Sequence, residues 1–224
     1  MSDIKERESC GCHADEERAA HDPAYRRALW IVVILNLGFG VIEIVGGFIA
    51  NSQALKADAL DFLGDGSITL VGLLALGWAE RTRARVALTQ GCFLAALGVG
   101  VIGMAVWRAL NAIPPEAEIM GGLGIAGLAV NVSAALALVR FRERGDANAR
   151  AIWLFSRNDA LANVAVIIAA ILVAWLKSAW PDLIVAAIIA ALFLHSAWEI
   201  IRDSVAELHE RKLSQLNKST LEQL

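Results

Sequence analysis

Charge is what this sequence has least of. Asp, Glu, Lys and Arg make up 19% of its 224 residues, and 57% are hydrophobic. A soluble domain is about 25% charged and roughly 45–50% apolar, so these proportions, with a mean hydropathy of +0.56, exclude one. Cysteine is scarce as well. Three in a chain of this length exclude a disulfide-stapled secreted scaffold. A surplus of positive charge is also missing: the net charge is −3 and no basic face stands out, which excludes nucleic acid as a partner. There is no repeat of 20–50 residues and no low-complexity tract. The first 25 residues are polar and acid-rich, without a basic stretch feeding a short apolar core. No cleavable signal peptide is therefore expected, and the polar head is expected to stay in the cytoplasm with Cys10 and Cys12 as thiols.

What is present is long apolar stretches. A helix crossing the hydrocarbon needs about 20 largely apolar residues, and six stretches qualify, at 28–50, 54–79, 86–108, 118–139, 151–176 and 182–201. Fold class follows: an all-α membrane protein, a bundle of six transmembrane helices. Short polar connections separate them, and Pro181 sits where the first turn of a helix tolerates proline. Arg81, Arg83 and Arg85 fall in the second connection, and Arg140, Arg142, Arg144 and Arg150 in the fourth. The opposite connections offer only Lys56, Arg108 and Lys177. The positive-inside rule then puts both termini in the cytoplasm, as an even number of spans requires. The expected organisation is a flexible cytoplasmic tail over 1–27, a transmembrane domain over 28–201 and a short cytoplasmic tail over 202–224. That last tail has the option of continuing helix 6, with Val205 and Leu208 on one face. Glycines in the spans, such as Gly91, Gly98 and Gly121-Gly122, let helices approach closely in lipid.

Several acids lie where acids are expensive. Glu43 is in span 1, Asp58, Asp61 and Asp65 are in span 2, and Arg157 and Asp159 are in span 5. An Asp near a helix centre costs about 2.5–3.5 kcal/mol on insertion scales, so the set costs on the order of 10 kcal/mol. Asp58, Asp61 and Asp65 stand at i, i+3 and i+7 and share one helical stripe. Asp61 and Asp65, four apart, can offer two carboxylates to one small ion. Asp159 and Asn163 repeat that spacing in span 5, and Asn36 and Glu43 give span 1 a polar stripe. Three such helices are best satisfied facing a shared wet cavity lined in part by Asn36, Glu43 and Asp58. Two carboxylates held close cannot both stay ionised cheaply. A divalent cation relieves the conflict, and a proton replaces it when it leaves, which is the minimum chemistry of an antiporter. The competing reading has the acids paired with Arg157 and Lys56 as structural glue, but there are more acids than cations.

The run from Asn51-Ser52-Gln53-Ala54-Leu55-Lys56 through Ala57-Asp58-Ala59-Leu60-Asp61-Phe62-Leu63-Gly64-Asp65 resembles the second transmembrane helix of the cation diffusion facilitator family. Asn36 and Glu43 fit that family's first helix, and Pro181-Asp182-Leu183-Ile184-Val185, continuing to Ser196, looks like its sixth. The resemblance covers roughly 28–205 and implies a divalent-metal/proton antiporter that works as a homodimer. It also implies a mid-membrane metal site built from two residues of helix 2 and two of helix 5. Mapped onto this chain, these are Asp61, Asp65 and Asp159, with the fourth position falling on Phe155, which cannot bind a metal. Water, Asn163, Asn158 or Ser156 is left to complete the site. Many zinc members carry His at the Asp61 position, so this site is richer in oxygen and leans toward harder ions. Zn²⁺ heads the candidate cargo, with Fe²⁺, Mn²⁺, Co²⁺, Ni²⁺ and Cd²⁺ open. The family's usual cytoplasmic metal-binding domain after helix 6 is expected to be absent.

Cys10, Cys12 and His13, with His21 nearby, gather soft ligands that suit Zn²⁺, Cd²⁺ or Cu⁺ and read as a metal-capturing tail. Cys92 is expected as a small core residue, His195 as a hydrogen-bonded structural histidine, and Gln90 and Asn131 as hydrogen-bond partners between helices. The sequence thus reads as a multi-pass exporter in a bacterial inner membrane, moving divalent metal out against protons, with no prosthetic group. A proton-coupled exporter of organic cations and a non-transporting metal sensor are the alternatives. An enzyme is not expected, since no nucleophile or substrate motif accompanies the acids.

Overall fold

The computed structural model describes residues 23–74, 80–111, 113–142 and 147–221. They form six helices: α1 (Pro23–Ile49), α2 (Gln53–Leu74), α3 (Glu80–Asn111), α4 (Ala117–Arg142), α5 (Ala147–Leu176) and α6 (Trp180–Leu221). Cys10, Cys12, His13 and His21 lie outside the described residues. Several helices run past the expected spans. Arg81, Arg83 and Arg85, expected in a connection, occupy the first turns of α3; Arg140 and Arg142 end α4, and Arg150 lies in the first turn of α5. The expected tail from 202 continues α6 to Leu221. The physical reason is that a helix need not stop where hydrophobicity stops. Arginine and lysine are good helix formers, and the backbone bonds of one turn favour adding the next.

Five of the six helices contain a stretch long and apolar enough to cross a membrane. The exception is α2, which carries Lys56, Asp58, Asp61 and Asp65 within its first 13 residues. Its place in the bundle explains how it tolerates them. Helix α2 touches all five others, and the contacts α1–α4, α4–α5, α5–α6 and α6–α3 close the remainder around it. Its Leu55, Ala57 and Leu60 pack into a core with Leu94 and Val101 of α3, Val166 and Ala169 of α5, and Ile189 and Phe193 of α6. A second cluster joins Leu29 and Val32 of α1 to Leu73 of α2 and Leu138 of α4. The outer helices turn the other way, with Leu110 81% and Trp175 79% exposed. A water-soluble surface does not tolerate that pattern, and lipid does.

Close approach rests on small residues. Gly121, Gly124 and Gly127 stand three apart on α4 and face α5. A Cβ at Gly124 would sit 3.0 Å from Ile167, and one at Gly127 would collide with the Asn163 amide oxygen. On the other side of the bundle, Gly47 lets α1 lie against Leu55 and Lys56 of α2.

The turn between α1 and α2 does two jobs in three residues. Asn51 takes a left-handed conformation (φ 57°), which asparagine tolerates better than most residues. The Asn51 and Ser52 amides donate to the Phe48 and Gly47 carbonyls, closing α1 in a Schellman motif. Ser52 then caps α2, its Oγ accepting the Leu55 amide at 3.1 Å. The next two free amides of α2 go to a different helix. Asp182, in the first turn of α6, accepts from Gln53 N at 2.8 Å and Ala54 N at 3.0 Å, and its carboxylate also takes the Ser52 hydroxyl. Three unpaired N–H groups and the positive end of the helix dipole are thus met by one serine and one carboxylate. Arg108 of α3 and Lys56 bear on the same carboxylate through their charge. Arg108 also donates to the Ile113 carbonyl at 2.6 Å, and Lys56 lies 4.4 Å from the centre of the Phe48 ring. Glu116 N donates to Ala50 O at 2.8 Å, tying the entry to α4 onto the same turn.

Three lesser expectations are corrected. Cys92 is exposed rather than in the core, because its side of α3 faces outward. His195 is also exposed, 3.7 Å from Glu199 one turn along α6, so its partner comes from its own helix. Asn131 is buried, but neither of its polar atoms finds a partner among the described residues, and the Gln90 amide nitrogen likewise has none.

Three outcomes follow from this packing. Asp182→Ala leaves buried amides at the start of α2 without acceptors and should lower stability by about 3 kcal/mol, seen as an earlier thermal transition of the detergent-solubilised protein. Gly127→Ala forces a methyl group into Asn163 and should cost about 1–3 kcal/mol. Gly122→Ala, with nothing within 4 Å of its Cβ, should be neutral or slightly stabilising in the same assay.

Candidate metal centre

The stripe of acids on α2 divides into two environments. Asp58 is fully buried and faces Glu43 of α1, also fully buried, across the α1–α2 contact. Asp61 and Asp65 lie one and two turns further along and are half-buried. The boundary is sharp. Every residue from Ser52 to Leu60 is buried, whereas Asp61, Leu63, Asp65, Ser67 and Thr69 all keep some exposure.

Asp159 of α5 comes to the same place. Its carboxyl is in hydrogen-bonding contact with those of both Asp61 and Asp65, while Asp61 and Asp65 act on each other through charge. An ionised carboxylate only accepts hydrogen bonds, so a proton or a cation between the groups would relieve their mutual repulsion. The three acids form a string with Asp159 in the middle. Among the described residues, no group of three His, Cys, Asp or Glu side chains is arranged to hold a metal ion. What the arrangement offers is six carboxylate oxygens from two helices at the edge of the accessible half of α2. Oxygen donors of this kind take divalent ions from the hard and borderline part of the series.

The candidates for a fourth ligand fare differently. Asn163 is fully buried. Its amide nitrogen donates to the Asp159 carbonyl at 3.0 Å, and its oxygen lies against Gly127, with no donor among the described residues. In this arrangement it braces the turn that carries Asp159. Phe155, Ser156 and Asn158 lie on α5, but their side chains fall outside those described, as does that of Arg157. Asn36 is buried, donates to the Val32 carbonyl at 2.9 Å and packs against Gly66 of α2. Lys56, considered as a neutraliser of the span-2 acids, belongs instead to the group around Asp182 and Phe48.

The reading from sequence missed Asp182 as the residue that joins α6 to α2. The pairing of Ser52 with Leu55, three residues on, is a legible cap signal. Nothing in sequence, however, connects a serine at 52 with an aspartate 130 residues away.

Comparison with known proteins places this chain in a family. Residues 29–209 match the cation efflux transmembrane domain. The zinc transporter ZitB of Escherichia coli (strain K12) is 32% identical over 212 residues, covering 88% of this chain and 68% of that protein. The cadmium, cobalt and zinc/H(+)-K(+) antiporter of Bacillus subtilis (strain 168) is 31% identical over 205 residues, 85% of this chain and 65% of its own length. The metal cation efflux system protein CzcD of Cupriavidus metallidurans (strain ATCC 43123 / DSM 2839 / NBRC 102507 / CH34) is 27% identical over 202 residues, 85% and 64% respectively. The chain spans about two thirds of the length of these relatives. With an all-helical bundle, apolar outer helices and a family match over most of its length, the chain is a multi-pass membrane protein of the cation efflux family, the cation diffusion facilitators.

Proposed function

We propose that the protein exports a divalent metal ion from the cytosol in exchange for protons, with Asp61, Asp65 and Asp159 as the metal ligands. The observation that carries this reading is the meeting of the α5 carboxylate with two carboxylates of α2 inside a membrane bundle. Stability alone gives no reason to bring three acids together in lipid. A site that alternates between metal and protons does. Zn²⁺ heads the cargo, in keeping with the names of the relatives, and the oxygen-rich donor set keeps Fe²⁺, Mn²⁺, Co²⁺, Ni²⁺ and Cd²⁺ as competitors. Water or the groups at 156, 158 and 163 complete the coordination. No resident cofactor and no enzymatic step are part of the reading.

Six spans with both termini in the cytoplasm give the transport direction. In that orientation the buried end of α2, capped by Asp182, faces outward, and the half from Asp61 to Thr69 faces the cytosol. The described arrangement then corresponds to a state open to the inside and closed at the outer end. Metal enters from the cytosol as the carboxylates lose their protons. A rearrangement opens the outer side, where protonation of the same carboxylates displaces the metal. The setting is the bacterial inner membrane, and the working unit is a homodimer. Soft ligands in the N-terminal tail, Cys10, Cys12, His13 and His21, capture metal on the cytosolic side.

Proteoliposomes enclosing a pH dye, under an imposed proton gradient, test the exchange. Wild-type protein should give proton movement that depends on added divalent metal, with Zn²⁺ among the most effective ions. Asp65→Ala should reduce it at least about tenfold, the loss that disturbing even an outer partner of a metal ligand produces. Zinc binding without any metal-dependent proton movement would instead support the sensor reading.

A further inference from the structure

Glu43 and Asp58 were expected to line a cavity with the other acids, but their surroundings are unlike those of the metal ligands. Both are 0% exposed. All four of their carboxylate oxygens lack a hydrogen-bond partner among the described residues, although the two side chains face each other within bonding reach. Two ionised carboxylates in contact satisfy nothing, since each only accepts. A single proton between them turns one into a donor, makes a charge-assisted O–H···O⁻ bond and leaves one buried negative charge where there would be two.

Among the described residues, the neighbourhood supplies no other neutraliser. Asp61 bears on both groups, and only through its charge. Helix α4, packed against α1 and α2, has no charged residue between Glu118 and Arg140. The acid of α5 at this depth, Asp159, is engaged with Asp61 and Asp65. On α3 and α6, Arg108 and Asp182 belong to the group at the capped end, where Lys56 also sits. A divalent metal does not fit the pair. It needs about four or more donors, and among the described residues the pair offers only its own two carboxyl groups.

We propose that Glu43 and Asp58 form a proton-binding site separate from the metal ligands, holding one shared proton while Asp61, Asp65 and Asp159 are empty and releasing it when a divalent cation binds there. The inference rests on the metal assignment above and deepens it by naming a place for a counter-ion. The direction of the coupling follows from the charges. With the metal site empty, the negative charge of Asp61 favours retention of the proton on the neighbouring pair. A divalent cation on Asp61 reverses the local field and favours its loss. The O–H bond breaks, the proton leaves to bulk water, and its electron pair stays on the carboxylate. One proton is thus exchanged from a position the metal never occupies, in addition to any displaced from the ligands.

The test counts protons. The full chain in lipid nanodiscs, weakly buffered near neutral pH, is titrated with zinc chloride while bound zinc and released protons are measured together. Glu43→Gln and Asp58→Asn each keep the shape of the protonated pair and a hydrogen-bond donor in place of the shared proton. Each should release about one proton fewer per zinc bound than the wild type. The double variant should lose the same one proton rather than two, because a single proton is shared. Infrared difference spectra should show that zinc removes more protonated-carboxyl intensity from the wild type than from Glu43→Gln, the difference being the band of the shared proton. Unchanged proton counts in both single variants would overturn the proposal, as would loss of zinc binding by a folded Glu43→Gln protein, which would make Glu43 a metal ligand. Asp65→Ala in the same titration separates the two readings. If it binds zinc and releases protons as the wild type does, the metal assignment fails and the coupling with it. If it loses zinc while the Glu43 and Asp58 variants count as wild type, the metal assignment stands and the proton site falls.

Discussion

An aspartate in hydrocarbon costs about 2.5–3.5 kcal/mol even on lenient scales, and α2 places three of them and a lysine within its first 13 residues. Such a helix cannot face lipid. The bundle answers by packing α2 against each of the other five helices, which buries Asp58 completely and leaves Asp61 and Asp65 only partly exposed. The outward faces of those five are then free to be apolar, which is why side chains as large as Trp175 stand almost fully exposed. The polarity that makes α2 a poor membrane span taken alone is what puts it at the centre of the assembly.

Central placement alone does not fix where α2 sits along the membrane normal. The capped end does. Asp182 of α6 holds the first amides of α2, Ser52 closes the third, and the tight turn at Asn51 joins this end to α1. Arg108 and Lys56 balance the charge of the carboxylate that holds them together. From this anchored end the helix runs buried as far as Leu60 and opens from Asp61 onward. Asp61 and Asp65 therefore stand at the border between a locked half and an accessible half, the position a site must have if one side is to close while the other opens. The fully buried pair of Glu43 and Asp58 lies on the locked side of that border.

The partner helix is positioned by a different device. Helix α5 reaches α2 while lying along the glycine face of α4, where Gly124 and Gly127 leave room for Ile167 and Asn163. Asn163 donates to the carbonyl of Asp159, so the packing of α4 on α5 is transmitted to the residue that meets the α2 acids. Selectivity is then a matter of oxygen donors. On the proposed assignment, an aspartate at 61 and a phenylalanine at 155 leave carboxylates as the principal ligands, and hardness rather than affinity for nitrogen would set the order of ions.

Much of this was legible in the chain itself. Hydropathy gave the number of helices, the i, i+3, i+7 spacing put Asp58, Asp61 and Asp65 on one face, and the residues around Asp61 and Asp65 carried the family resemblance. Helix ends were less legible, because Arg81 to Arg85 and the residues beyond Arg202 continue helices after hydrophobicity has ended. Periodicity and composition are local properties, and they determined the elements and the cast of acids. Which acid meets which is decided by contacts between residues far apart in sequence. Only the tertiary structure separates Glu43 and Asp58, sealed together, from Asp61, Asp65 and Asp159 at the accessible border. Only it turns Asp182 from one more acid in a span into the cap of a helix that begins 129 residues earlier. The sequence by itself determined that buried charge had to be satisfied; the packing of six helices decided by what.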